Sequence, residues 1–297
     1  MSNTLREFSN DLSAAVEKGG ASTILVDARK RYPASGIAYA EDLVLTADHV
    51  VTKEDIKVGL PDGKTLSATV AGRDPGSDLA LLRLAEKALS PAKTSDDIKV
   101  GQLVLALGRP NNAGMQASWG IVAAISGPTR TFRGGLLDEY LQTETTPYPG
   151  FSGGPLVNTE GQVLGLNTSG LTHGSSLTIP VKVAWRIAEA LATHGSVKRG
   201  YLGVRTQPVE IPEAARKALN REQGHGLLVL WLEEGGPAEK GGLLVGDILV
   251  AISGQPVGDP DDLFAALNSE TVGKAIAVEV LRGGRPESVN VTVGERK

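Results

Sequence analysis

The chain has 297 residues, enough for two domains at roughly 150 residues each, and 30 basic against 34 acidic residues leave a formal charge of −4. That balance argues against phosphate neutralisation and so against a nucleic-acid partner. The absence of cysteine excludes disulfides, thiolate metal sites and a cysteine nucleophile, and four histidines leave few ligands for a metal. Residues 1–20 have helical spacing, with Leu5, Phe8, Leu12 and Val16 on one face. They hold neither a continuous apolar core nor a small-residue cleavage site. This predicts no secretory leader and a cytoplasmic protein, with periplasmic or secreted as the alternative. No apolar run approaches the roughly 20 residues of a spanning helix.

From residue 21 onward the chain reads as short strands. Ile56, Val58 and Leu60 alternate, Pro61-Asp62-Gly63 turns the chain, and Leu66, Ala68 and Val70 alternate back, which predicts a hairpin. Further strands are predicted at Leu43–Leu45, Leu79–Leu84, Leu103–Leu107, Gly120–Ile125, Pro155–Val157, Val163–Asn167 and Leu177–Ile179. Many short strands separated by Gly and Pro imply a mainly β barrel or sandwich. Residues 181–193 have helical spacing, and the polar, glycine-flanked stretch 194–200 marks a boundary between domains at 21–195 and 199–297. In the second, strands are predicted at Leu227–Leu232 and Ile248–Ile252 and a short helix at Asp261–Asn268. A last hairpin pairs Ile276, Val278 and Val280 with Val289, Val291 and Val293 across Gly283-Gly284.

Chemistry concentrates in Gly150-Phe151-Ser152-Gly153-Gly154-Pro155. Glycines around a serine let a substrate carbonyl approach the backbone, where the N–H groups of Gly150 and Ser152 can meet a developing oxyanion. The segment also fits G-x-S-x-G, but that elbow requires a strand before and a helix after. Here strand, turn and strand follow, so the elbow is rejected. A serine nucleophile needs a base. His49 follows a buried strand, whereas His173 lies in a Gly/Ser loop, His194 in the linker and His225 between glycines. Asp78 opens the apolar run Leu79–Leu82, where its carboxylate could orient the base; the alternative is a loop cap. Asp74, beside Pro75, is predicted to be a turn residue. The order His49, Asp78, Ser152 is that of chymotrypsin-class enzymes.

Thr46-Ala47-Asp48-His49-Val50-Val51, Ser77-Asp78-Leu79-Ala80 and the Ser152 segment together resemble the catalytic blocks of the HtrA (DegP-type) trypsin-like proteases. Ala106–Pro110 and Gly120–Val122 resemble the family's linking segments. From Gly200 onward the chain resembles a PDZ module, through Tyr201-Leu202-Gly203-Val204 and Gly246-Asp247-Ile248. The resemblance implies a chymotrypsin-like double β-barrel followed by one PDZ domain. It implies an ATP-independent endopeptidase acting on unfolded or damaged proteins, without cofactor or metal, in a homotrimer. A catalytically silent PDZ chaperone or adaptor is the alternative. By the same resemblance Thr146, Pro147, Ser176, Leu177 and Thr178 line a substrate pocket. With no carboxylate among them, it should take small or medium aliphatic side chains. The Tyr201–Val204 turn, with Leu263 or Leu267 as the facing wall, would bind peptide C-termini. Phe151 stands where the family usually has Asn, and Tyr148-Pro149 replaces its polar residues.

Overall fold

The computed structural model describes residues 2–295 except 112, 132–134, 172–176, 198–199, 220 and 268–270. His173, Ser176 and Asn268 lie outside the described residues. The chain divides into two compact units, Met1–Val197 and Lys198–Lys297.

The first unit opens with helix α1 (Ser2–Gly20). Of its predicted apolar face, Leu12 and Val16 pack on the core, but Leu5 and Phe8 are exposed. Strands β1 (Thr23–Asp27), β2 (Ala34–Ala40), β3 (Leu43–Ala47), β4 (Ile56–Gly59), β5 (Thr65–Asp74) and β6 (Leu79–Leu84) close a barrel in the order β1-β2-β3-β6-β5-β4. The predicted hairpin is β4 and β5, in register Ile56↔Ala68 and Val58↔Leu66. β1 and β2 were not anticipated. Their residues are buried on both faces or small, so neither alternates.

Strands β7 (Leu103–Gly108) and β8 (Gln116–Ser126) begin a second barrel. Two-residue strands β9 (Thr129–Arg130) and β10 (Leu136–Leu137) form a side ladder. Strands β11 (Tyr140–Thr143), β12 (Pro155–Val157), β13 (Val163–Thr168) and β14 (Leu177–Pro180) then complete the barrel in the order β11-β14-β13-β12-β7-β8. Helix α2 (Val181–His194) follows, and Gly195 ends it in the left-handed conformation. One apolar cluster joins Leu45, Leu79 and Leu81 of the first barrel to Leu107 and Leu166 of the second and to Ala188 and Leu191 of α2. The barrels therefore share a core.

The second unit contains β15 (Gly200–Tyr201), β16 (Val204–Glu210), α3 (Glu213–Leu219), β17 (His225–Leu232), α4 (Pro237–Lys240), β18 (Ile248–Ile252), β19 (Gln255–Pro256), α5 (Pro260–Ala266), β20 (Ala275–Arg282), β21 (Arg285–Thr292) and β22 (Gly294–Glu295). Its main sheet runs β16-β17-β18-β20-β21, which leaves β16 at an edge. Helix α5 starts one residue before its predicted position because Asp259 forms a capping box with Asp262. The final hairpin pairs Ile276↔Val291 and Val278↔Val289, but Val280 faces Glu287 and Val293 falls beyond the strand. Gly283 and Gly284, both at positive φ, make a two-residue turn that sets this register.

Leu81 has no exposed surface. Leu81→Ala should cost about 2–5 kcal/mol. Differential scanning calorimetry should show the first unit's transition lowered on the order of 10 °C, with the second unit's transition unmoved.

Candidate active site

The base candidate sits on a short 3-10 turn, Asp48–Val50, directly after the buried strand β3. Arg73 of β5 holds that turn. Its Nε donates to Asp48 Oδ1 at 2.6 Å, and its Nη2 donates to the carbonyls of Asp48 (3.1 Å) and Val51 (3.0 Å). Nothing in the local sequence marks Arg73 for this task, because β5 and the turn meet only in the folded barrel.

Asp78 is completely buried and adopts φ +56, an uncommon conformation for a residue with a side chain. Its oxygens are fully engaged. The His49 backbone N–H donates to Oδ1 at 2.8 Å, His49 Nδ1 lies 2.8 Å from Oδ2, and the Thr168 hydroxyl also donates to Oδ2. The Thr168 oxygen in turn accepts the Gly170 N–H at 2.9 Å. A Cβ on Gly170 would stand 2.2 Å from Asp78 Oδ2 and 2.4 Å from His49 Nδ1, so only glycine fits there. Thr168 and Gly170 escaped the sequence reading, since both belong to the second barrel. Asp74, expected in a turn, is the buried last residue of β5, and Ser77 Oγ donates to its carboxylate at 2.5 Å. His194 and His225 are exposed, as expected.

Ser152 lies on a turn held by the first barrel. Ser35 of β2 donates through Oγ to the Gly150 carbonyl (2.7 Å) and through N–H to the Ser152 carbonyl (3.1 Å), while its Oγ accepts the Arg109 N–H (2.8 Å). Gly153, at φ +85, lies so close to this clamp that a Cβ would meet the Ser35 carbonyl at 2.1 Å. The Phe151 N–H donates to the Tyr148 carbonyl at 3.0 Å, and the N–H groups of Gly150 and Ser152 have no acceptor among the described residues. The Phe151 side chain is buried against Val104, Leu141 and Leu156, with Tyr148 edge-on at 5.4 Å. Phe151 thus anchors the turn from below through apolar packing. Ser152 Oγ is paired with Ser169 Oγ at 3.2 Å, not with His49.

A cleft of about 930 Å³ surrounds Ser152. Thr145, Pro147, Leu177 and Thr178 are among its lining residues, together with Thr143 and Asn167, which the sequence reading did not name. Thr146 is not among its lining residues. Its side chain is exposed, and its N–H donates to Ser118 Oγ at 2.7 Å. No acidic side chain lines the cleft among the described residues, and Arg29, Lys30 and Arg31 stand on its rim. Burial lowers the pKa of Arg29.

In the second unit, Gly203 has φ +77 and the Leu202 side chain is buried. The N–H groups of Leu202 and Gly203 have no acceptor among the described residues, while the Gly203 carbonyl accepts the Glu233 N–H at 2.8 Å. Tyr201 is tied to Glu233 through its hydroxyl at 2.8 Å. Val204 begins the edge strand β16, and α5 packs beside that strand. Leu263 and Leu267 are buried with Leu202 in the core, and Leu267 follows α5 instead of belonging to it.

A serine and a paired His–Asp on facing β-barrels define a trypsin-like serine protease arrangement. Residues 34–166 match the trypsin-like peptidase domain family and residues 200–293 the PDZ domain family. A variant of the HtrA-type protease AlgW, solved with a tripeptide, is 30% identical, with a TM-score of 0.80 over 96% of this chain and 97% of that one. The chain belongs to the HtrA-type protease family. AlgW with a decapeptide superposes with a TM-score of 0.80 at 28% identity, covering 96% of this chain and 99% of that one. A serine endoprotease from Yersinia pestis gives a TM-score of 0.79 at 28% identity, covering 96% and 98%. The probable periplasmic serine endoprotease DegP-like of Pseudomonas fluorescens is 38% identical over 266 residues, 87% of this chain and 55% of that protein. Its counterpart in Halomonas elongata is 37% identical over 276 residues, 90% and 57%. The chain spans little more than half the length of these curated relatives. Their periplasmic description overturns the cytoplasmic expectation, which rested on residues 1–20 showing neither a continuous apolar core nor a small-residue cleavage site. No helix among the described residues is long and apolar enough to cross a membrane.

Gly170→Ala should separate His49 from Asp78 while leaving both barrels folded. Proton NMR should show a downfield His49 Nδ1–H resonance in the parent chain and its loss in the variant. An unchanged resonance would mean the contact at Gly170 yields easily.

Proposed function

We propose that the chain is an ATP-independent serine endopeptidase that cleaves unfolded or damaged proteins, with Ser152, His49 and Asp78 as its triad. The reading rests on one observation: a buried carboxylate bonded to both the backbone and the ring of His49, across the barrel seam from a serine turn with two N–H groups that have no acceptor among the described residues. Ser152 Oγ attacks the scissile carbonyl as His49 takes its proton. The same imidazolium then protonates the leaving amine. Asp78 orients the ring and stabilises its charged form. The N–H groups of Gly150 and Ser152 receive the oxyanion. For this, Ser152 Oγ must exchange Ser169 for His49, a tightening common when substrate binds. With no carboxylate in the cleft to pair with lysine or arginine, the side chain on the acyl side of the cut bond is small or medium and uncharged. Assembly as a homotrimer belongs to the same proposal and is decided by light scattering.

Residues 21–195 form the protease domain in this reading, and 199–297 form a PDZ domain that binds peptide C-termini. A peptide adds to the open edge of β16 beside α5, and its terminal carboxylate accepts from the N–H groups of the Tyr201–Val204 turn. A second reading, a silent barrel serving as a PDZ chaperone or adaptor, draws on the Ser152–Ser169 pairing and on Pro149 beside the oxyanion turn.

Labelled casein separates the two. The parent chain should hydrolyse it, Ser152→Ala should lose several orders of magnitude, and Asp78→Asn should lose about 10⁴-fold. A parent chain that leaves casein intact while suppressing aggregation supports the adaptor reading.

For the second unit, calorimetry on full-length Ser152→Ala should find a peptide with a free C-terminus bound at least about tenfold more tightly than its amide, because the amide loses charge-assisted hydrogen bonds. Equal affinities would assign the groove to internal segments.

A further inference from the structure

The outer face of the edge strand β16 carries a cation on an aromatic platform. Arg205 of β16 and Trp231 of β17 are register partners. The guanidinium carbon of Arg205 stands 5.0 Å from the centre of the Trp231 ring, within cation–π range. Beyond this pair the register shifts, with Thr206 facing Val229, so Leu230 is the extra residue of a bulge. Val229 stays in the core, whereas Leu230 and Trp231 both turn outward, 49% and 43% exposed. The neighbouring pair, Val204 and Leu232, packs against the core. The two faces are thus divided, with Val204 and Leu232 inside and Arg205, Leu230 and Trp231 outside. The indole holds the guanidinium from one side, and Arg205 makes no ion pair or hydrogen bond through its side chain among the described residues.

In the peptide-binding reading above, a strand adds to this edge with its terminal carboxylate at the N–H groups of Leu202 and Gly203, so it runs antiparallel to β16. Alternation along the added strand then decides where its side chains go. The last one enters on the core side, with Val204 and the buried Leu202 and Leu263. The penultimate one faces the other way, beside Arg205. The chemistry there is selective. The guanidinium already covers the indole, and what it offers a newcomer is a fork of N–H donors with a positive charge. A carboxylate accepts that fork with charge assistance, a carboxamide accepts without it, and an ammonium is repelled. Because the ring pre-orients the guanidinium, pairing costs it little further freedom. Resting on the peptide-binding reading, we infer that this edge selects C-termini whose penultimate residue is glutamate or aspartate, read by Arg205 on its Trp231 platform.

Glutamate and glutamine are close to isosteric, so they isolate the charge. Three peptides with free C-termini, identical except for Glu, Gln or Lys at the penultimate position, are titrated by calorimetry into full-length Ser152→Ala, which cannot consume them. Glu should bind about threefold or more tighter than Gln, the scale of a well-oriented exposed ion pair, and Lys should bind more weakly than Gln. The chain's net charge of −4 by itself favours the Lys peptide, so the opposite order reports the local cation. Adding Arg205→Gln should bring the Glu/Gln ratio to about one. Trp231→Leu, which removes the platform and keeps the charge, should shrink the ratio and carries the test if the Arg205 variant does not fold. A Glu peptide bound no tighter than Gln overturns the inference and leaves Arg205 as a charge that guards an open edge. A Glu preference that survives either folded variant overturns it as well. In both cases the free-carboxylate preference over the amide still stands. If none of the three peptides binds, or their amides bind equally well, the peptide C-terminus reading falls and this inference with it.

Discussion

A carboxylate with no exposed surface must find hydrogen-bond donors inside the protein, and the site follows from how Asp78 finds them. Two donors come from His49 in the first barrel, and the third comes from Thr168 in the second. Satisfying this one side chain fixes the imidazole, orders the 3-10 turn that carries it and ties the two barrels together at their seam. The left-handed backbone at Asp78 is tolerated because so many bonds hold it. Arg73 reinforces the arrangement from below, through Asp48.

Ser35 does for the Ser152 turn what Asp78 does for His49. It carries no chemistry of its own, yet both its hydroxyl and its N–H bind the turn from Gly150 to Ser152. The substituted Phe151 fits the same logic. A polar residue at that position would need partners, whereas Phe151 needs only the apolar pocket it occupies and the bare Cα of Gly108, where a Cβ would lie 2.5 Å from the ring. The turn is thus held by hydrogen bonds from one side and by packing from the other.

In the second unit the residues that drew attention divide into two roles. Gly246-Asp247-Ile248 is structural: Asp247 is buried and accepts a fork from Arg282, Nε to Oδ1 at 2.8 Å and Nη2 to Oδ2 at 2.7 Å, as well as the Leu244 N–H at 2.8 Å. By contrast, the N–H groups of Leu202 and Gly203 have no acceptor among the described residues and lie beside an open sheet edge. Motifs that co-occur in a sequence therefore need not share a task.

The chain order of His49, Asp78 and Ser152, the glycines around the serine, and the β alternation of Ile56–Val70 were legible because each depends on neighbours in sequence. Periodicity, turn chemistry and side-chain type are local properties. What sequence could not disclose are the groups that meet only in the folded barrels: Thr168 and Gly170 at Asp78 and Ser35 at the Ser152 turn, which meet between the barrels, and Arg73 under His49, which meets it within the first. Each is an ordinary residue within its own strand, and strands β1 and β2 lacked alternation because burial on both faces erases it. Their roles come from contacts between residues far apart in the chain, and only closing each barrel and packing the two around a shared core brings those partners together.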